Sequence, residues 1–254
     1  MKKVFLSLCF CLLLVPAAYA VTGEAWLPWT PVQASVISPV AIPPLTDNVY
    51  GARGNLIYGY NKRVVGFDLG LIQHAERTTA IQMGFLANIS GTMEGIAMPY
   101  FLSLFPCVNI ARDFTGLQLS YLYNSSDNIT GCQGVPIFNY AKDVSGVQIA
   151  LLVNNAHDVC FWQSAPLANI ADNLSGYQGG FSNTVHEEMT GWQSSLAINT
   201  ANKMSGLQTS WLLNRTNFLY GIQLGAINWA RDIEGLQIGF VNINKNRILP
   251  FINF

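Results

Sequence analysis

Gly146-Val147-Gln148-Ile149-Ala150-Leu151-Leu152-Val153-Asn154-Asn155-Ala156-His157-Asp158-Val159-Cys160 is one of a series of near-identical phrases. Each opens Gly-x-Gln and continues with Asn-x-Ala-x-x-apolar-x before the next opening. The openings fall at Gly116, Gly131, Gly146, Phe161, Gly176, Gly191, Gly206, Gly221 and Gly235, a period of 15 residues that slips once to 14. A unit this short holds one strand and one turn and cannot bury a core alone, so neighbouring units must stack. The pattern makes the fold all-β, and it argues against a catalytic site because no unit is set apart from the others.

Upstream the pattern continues in degenerate form, with Gly51-Ala52-Arg53 and Gly66-Phe67-Asp68 in the Gly-x-Gln slots, and Ala80-Ile81-Gln82 restoring the glutamine. The unit starting at Gly95 carries an insertion, Pro99 to Pro106. Asparagine to the next glycine is seven residues in almost every unit. Glycine to asparagine is eight in most and seven in those starting at Gly176, Gly221 and Gly235. The turn half is therefore rigid, and the strand half accommodates a bulge.

In the strand half Val147, Ile149 and Leu151 share one face, while Gln148 and Ala150 take the other. In the turn half Ala111, Ala141, Ala156, Ala171, Ala201 and Ala230 recur two residues after the asparagine. An apolar residue follows three positions later, as at Phe114, Val144, Leu174 and Met204. Glycine and asparagine interrupt every window long enough for a helix.

Two architectures accept such strands. In a parallel β-solenoid of 14–15-residue repeats each unit is one coil, and every slot stacks on its own equivalent. Gln148 then lies beside Gln133 and Gln163 at about 4.8 Å between backbones, and the opposite charges of Arg53 and Asp68 meet. Asparagines stacked at the turn satisfy one another and nearby carbonyls. This model expects a polar, uncharged exterior and places Trp162, Tyr177, Trp192 and Trp211 in the core. The alternative is an antiparallel outer-membrane β-barrel with one strand per repeat, possible as a pore. Strands of about ten residues suit it, as does the terminal Phe254, and those aromatic residues would face lipid. In a barrel, however, alternate turns face opposite compartments, whereas here odd and even turns obey one rule, which favours the solenoid.

The ends differ from the repeats. Residues 1–20 have a basic start (Lys2-Lys3), an apolar run from Val4 to Val15 and Ala18-Tyr19-Ala20, the layout of a cleavable signal peptide. Residues 21–48 form a proline-rich N-cap segment, broken at Pro28, Pro31, Pro39, Pro43 and Pro44 and unsuited to a central strand. Tandem β repeats occupy 49–247, and 248–254 form a C-terminal strand or cap. No later run is apolar for the ~20 residues a membrane helix needs.

Net charge is −1 with 11% of residues charged, so the basic stripe of a nucleic-acid binder is missing. Mean hydropathy is +0.28, high for a chain without a membrane helix. Cys107, Cys132 and Cys160 form neither a disulfide framework nor a metal motif and read as thiols in apolar slots. His186-Glu187-Glu188 lacks the further ligands of a metal site. Asp113, Asp143, Asp158, Asp172 and Asp232 recur at nearly equivalent places, but Arg112, Lys142 and Arg231 stand beside three of them. No serine–histidine–acid set emerges. The expectation is therefore no catalytic, cofactor-binding or metal residue and no cofactor, and the sequence identifies no small-molecule ligand.

Gly221-Ile222-Gln223-Leu224-Gly225-Ala226-Ile227-Asn228 and Gly235-Leu236-Gln237-Ile238-Gly239-Phe240-Val241-Asn242 resemble the tandem "GLQIGLVN" units of a bacterial surface-repeat family known from Leptospira and other Gram-negative bacteria. Thr30-Pro31-Val32-Gln33, Gly54-Asn55-Leu56-Ile57-Tyr58-Gly59 and Leu249-Pro250-Phe251 extend the likeness to both ends. The chain departs from it in its longer strand half and its insertion. The resemblance implies export to the outer membrane or cell surface and assigns no catalytic or binding residue. The resulting expectation is a non-enzymatic envelope scaffold or adhesin-like module, whose partners are envelope or surface components or outer-membrane lipid. Its rivals are an integral barrel and an envelope carbohydrate-active enzyme.

Overall fold

The computed structural model describes residues 29–43, 47–99, 107–135 and 137–254. The expected signal peptide, the first part of the N-cap segment and most of the Pro99–Pro106 insertion lie outside the described residues. The chain is all-β and forms a parallel β-solenoid, with the coils in register. It divides between Ser120 and Tyr121 into two compact units.

In the first unit β1 (Trp29–Ile37) is followed by β2 (Val40–Ile42), β3 (Asn48–Pro99) and β4 (Val108–Leu119). β3 runs 52 residues, more than three repeats, because extended backbone bends around the coil without breaking. β1 pairs parallel with β3 (Gln33 opposite Arg53), and β2 folds back antiparallel on β1. Although the proline-rich segment reads as unsuited to a central strand, β1 lies between β2 and β3, with Pro31 at a register shift between Thr30 and Val32, where a missing N–H is tolerated. β3 pairs with β4 so that Asn88 faces Asn109 and Gly95 faces Gly116.

The second unit contains β5 (Tyr123–Val135), β6 (Phe138–Ala150), β7 (Val153–Ala171), β8 (Asn173–Ser210), β9 (Leu213–Leu224), β10 (Ile227–Ile243) and β11 (Ile248–Asn253). β5 to β10 pair parallel with like on like: Gln133 with Gln148, Gln148 with Gln163, Asn199 with Asn214, Gly221 with Gly235. An antiparallel barrel is thereby overturned, together with the pore reading that depended on it. One register shift, between Ala165 and Ala168, falls where the coil starting at Gly176 is one residue short in its strand half. β11 turns back antiparallel on β10 and brings Asn253 opposite Gln237.

Counting the opening glycine as slot 1, the side chains of slots 3, 5, 9, 11 and 14 point inward. In the coil from Gly146 these are Gln148, Ala150, Asn154, Ala156 and Val159, all buried. Among the described residues slot 14 is the inward row of large apolar side chains (Met93, Phe114, Val144, Leu174, Met204, Leu219), each worth roughly 1.5–3 kcal/mol when fully buried. Slots 5 and 11 hold mostly alanine, glycine and serine, which lets the coil walls approach.

Slot 1 shows how tightly the coils stack. Its glycines from Gly51 to Gly221 adopt φ near +119° to +143°, and a Cβ on Gly176 would lie 2.1 Å from the Phe161 carbonyl oxygen below. The spacing that the hydrogen bonds demand makes a side chain there strained, and among the positive-φ residues of this row only Phe161 carries one.

Candidate functional site

The interior is organised by two ladders of side-chain amides. In the second unit Gln148 Nε2 donates to Gln133 Oε1 (2.9 Å) and Gln163 Nε2 to Gln148 Oε1 (2.8 Å). The row continues through Gln178, Gln193, Gln208, Gln223 and Gln237, and Asn253 ends it by donating to Gln237 Oε1 at 2.9 Å. The asparagine ladder runs the other way. Asn154 accepts from Asn139 Nδ2 (2.9 Å) and donates both to Asn169 Oδ1 (3.0 Å) and to the Ser164 carbonyl (2.7 Å). Each amide has a donor end and an acceptor end, so a column of them satisfies all its buried members by passing the bond from coil to coil.

This corrects the expected polar exterior. Gln148 is buried, whereas Ile149 and Leu151 face out. The reason is accounting for buried polar groups: the inner wall of a narrow coil exposes backbone carbonyls that leucine cannot satisfy. The aromatic residues are corrected with it. Trp162, Trp192 and Trp211 are exposed. Trp162 and Tyr177 lie with ring centroids 4.3 Å apart at a tilt of 39°, and Tyr177 meets Trp192 edge-on at 5.3 Å.

In the first unit Arg53 and Asp68 replace two glutamines of the row and meet as expected. Both are buried, with Nη2–Oδ2 at 2.5 Å and Nε–Oδ1 at 2.8 Å. Asn61 Oδ1 and the His74 carbonyl accept from Nη1 of Arg53, and Gln82 Nε2 donates to Asp68. Tyr58 Oη lies 2.9 Å from His74 Nδ1. Burial, with Arg53 adding to it and Glu76 opposing, holds the His74 imidazole below its ordinary pKa of 6.5. A fully paired charge cluster of this kind is structural.

The remaining candidate groups sit on the outside of the turn half and are held apart. Asp127 pairs with Lys142 (2.8 Å), His157 with Asp172 (2.6 Å) and Glu188 with Lys203 (2.5 Å), each across one coil step. Asp113 pairs with Arg112, and Asp232 with Lys245. Asp158 accepts from Asn173 Nδ2. The aspartate row is thus interleaved with cations and amides. Among the described residues no three His, Cys, Asp or Glu side chains gather in a way that could hold a metal ion. Cys107, Cys132 and Cys160 are free and differ in setting. Cys107 fills a buried slot, where desolvation pushes its thiol up to about 12, whereas Cys160 is exposed rather than lodged among apolar groups.

What the repeat builds on its outer surface is a division by chemistry. From Tyr121 onward every Asp, Glu, Lys and Arg lies in a turn half, between asparagine and the next slot 1, or follows Asn242. The strand half, slots 1 to 8, is charge-free, and its outward rows carry Val147, Ile149, Leu151, Leu196, Trp211 and Phe240 among others. A groove of about 750 Å³ runs along this face, where small residues at slot 4 (Ser164, Gly179, Ser194, Thr209) lie between Tyr177 and the slot 6 row of Phe181, Leu196 and Trp211. The sequence carried this signal in the restriction of charge to the turn half. It was obscured by assigning apolar residues to the interior. Comparison with family models, curated proteins and solved structures finds no significant match to this chain.

Proposed function

We propose that this protein is a non-enzymatic scaffold of the Gram-negative cell envelope, exported and displayed at the outer membrane or cell surface, where it acts as an adhesin-like interaction module. The observation that carries this reading is the repetition of outward rows. Coil after coil, equivalent slots present the same chemistry, which is how solenoids build extended binding surfaces. The inward rows hold the coils together, and outside, Lys142 with Asp127 and Lys203 with Glu188 pair across coils.

The layout of residues 1–20 supports export, and the likeness to the GLQIGLVN units supports an envelope address. The test is fractionation of Gram-negative cells expressing the full chain. The expected product lacks residues 1–20, sediments with the envelope and is cut by protease added to intact cells. A full-length product in the cytoplasm would overturn the proposal.

A further inference from the structure

We infer that the charge-free strand-half face of the second unit is a lipid-docking surface, lying in the interfacial region of a bilayer with slots 6 and 7 deepest. The inference rests on the envelope reading above and names the partner that this face takes.

Three observations select lipid as the occupant. The first is the absence of charge. Slots 1 to 8 of every coil from Gly131 to Val241 lack Asp, Glu, Lys and Arg, while the opposite, turn-half side holds all of these residues in the coils. Ordinary protein–protein interfaces are about as polar as the rest of the surface, with Arg within them and a hydrogen bond every 100–200 Å² or so. This face has no charge with which to select a protein partner. An apolar patch extending over many coils exceeds what a monomer normally leaves in water.

The second observation is the order of side chains across the face. Its apex, at slots 6 and 7, carries Leu151, Leu196, Trp211, Leu212 and Phe240, with Trp211 77% and Phe240 73% exposed. Towards one border lie Trp162, Tyr177 and Trp192, next to slot 1. Towards the other are Tyr140 and Trp229, where the Arg215 guanidinium lies 5.2 Å from the Trp229 ring centre. Apart from Trp211 at the apex, the rings bearing N–H or O–H groups lie towards both margins with aliphatic residues and phenylalanine between them, as in an interfacial membrane segment: the marginal rings sit at headgroup level and the chains between them go deeper.

The third is the opposing charge pattern. Cations of the turn half are interleaved with anions, as Lys142 with Asp127 and Lys203 with Glu188, so no polybasic patch is available to seek anionic lipid. Docking through the strand half is therefore hydrophobic and independent of salt.

The test uses the purified full chain and vesicles of zwitterionic phosphatidylcholine. The expected result is co-flotation with vesicles, equal at low and high salt, with tryptophan emission quenched by lipids brominated on their acyl chains. A Leu151→Ser, Leu196→Ser, Trp211→Ser variant should bind at least roughly tenfold more weakly. Its far-ultraviolet dichroism and melting temperature should stay near those of the parent, because the three side chains point out of the coil. Binding only to anionic vesicles, abolished by salt, would overturn the proposal in favour of the charged half. Failure to float combined with a dimer that the triple variant dissociates would assign the face to a second copy. Failure to float by a monomer would leave the face without lipid and equally overturn it. In each of these failures the protein would still fractionate with the envelope if the broader reading holds, so the two are separately decided.

Discussion

Arg53 and Asp68 meet in the buried glutamine row of the first unit, fork to fork, at 2.5 and 2.8 Å. They occupy slot 3 of adjacent coils, the slot that holds glutamine almost everywhere else. A charged pair thus takes the place of a pair of amides in the row: Arg53 donates forward to Asp68 and Gln82 donates back to it, so the carboxylate accepts from both sides where a glutamine would pass the bond on. Removing one member leaves the other buried and uncompensated, at a cost of about 3–5 kcal/mol.

It follows that Arg53→Gln and Asp68→Gln should each lower the melting temperature strongly, whereas the double variant should recover most of the loss by restoring the amide ladder. Thermal unfolding of the two single variants and the double variant checks this. Equal loss in all three would mean that the row tolerates no uncharged pair at this place.

Inward glutamine and outward leucine should respond in opposite ways to substitution. Gln178→Leu strands the buried Gln163 Oε1 and leaves Gln193 Nε2 only its 3.3 Å bond to the Thr200 carbonyl, and should cost about 1–3 kcal/mol, the penalty of one orphaned group. Leu196→Gln, one coil on and facing out, should change stability by no more than about 0.5 kcal/mol. Chemical denaturation of the two variants distinguishes this inside-polar coil from one with an apolar lining.

Phe161 occupies slot 1 with φ 113°, a conformation that its neighbours Gly146 and Gly176 adopt without a Cβ. A bulky residue held there costs about 1–3 kcal/mol, and its exposed ring regains little by burial. Phe161→Gly should therefore raise the melting temperature. Gly176→Ala should lower it, since its Cβ would press on the Phe161 carbonyl.

The depressed pKa of His74 makes stability pH-dependent. The unfolded chain protonates this imidazole near its ordinary 6.5, while the folded chain resists protonation until lower pH. Between those two values the unfolded state binds more protons, so stability rises with pH there. The contribution is complete above 6.5 and is lost as pH falls below it. Melting curves from pH 8 to pH 5 should show this loss in the parent and a smaller one in His74→Gln.

The coil was legible in the sequence because stacking forces like onto like. The fixed distance from asparagine to glycine, the Arg53–Asp68 coincidence and the alignment of Gln148 with its neighbours all depend on that rule. Which face of the strand looks inward was not legible from alternation. Val147, Ile149 and Leu151 alternate with Gln148 and Ala150 whichever set is buried. Hydrophobicity alone favours the aliphatic set, but the unsatisfied carbonyls inside a narrow coil favour the amides. The surface reading followed the same path. Restriction of charge to the turn half was visible as letters, but its meaning depended on knowing that the apolar letters of the strand half face out.

The measurement that tests the account most directly is the spacing of equivalent slots in successive coils. Nitroxide labels at Thr200 and Arg215, outward residues paired in register, should broaden each other's spectra by dipolar contact at about 5 Å between backbones. Labels at Arg215 and Trp229 should do the same one coil further on. Strong broadening in both pairs is the result a parallel, in-register solenoid predicts. Narrow, independent spectra in either pair would contradict it.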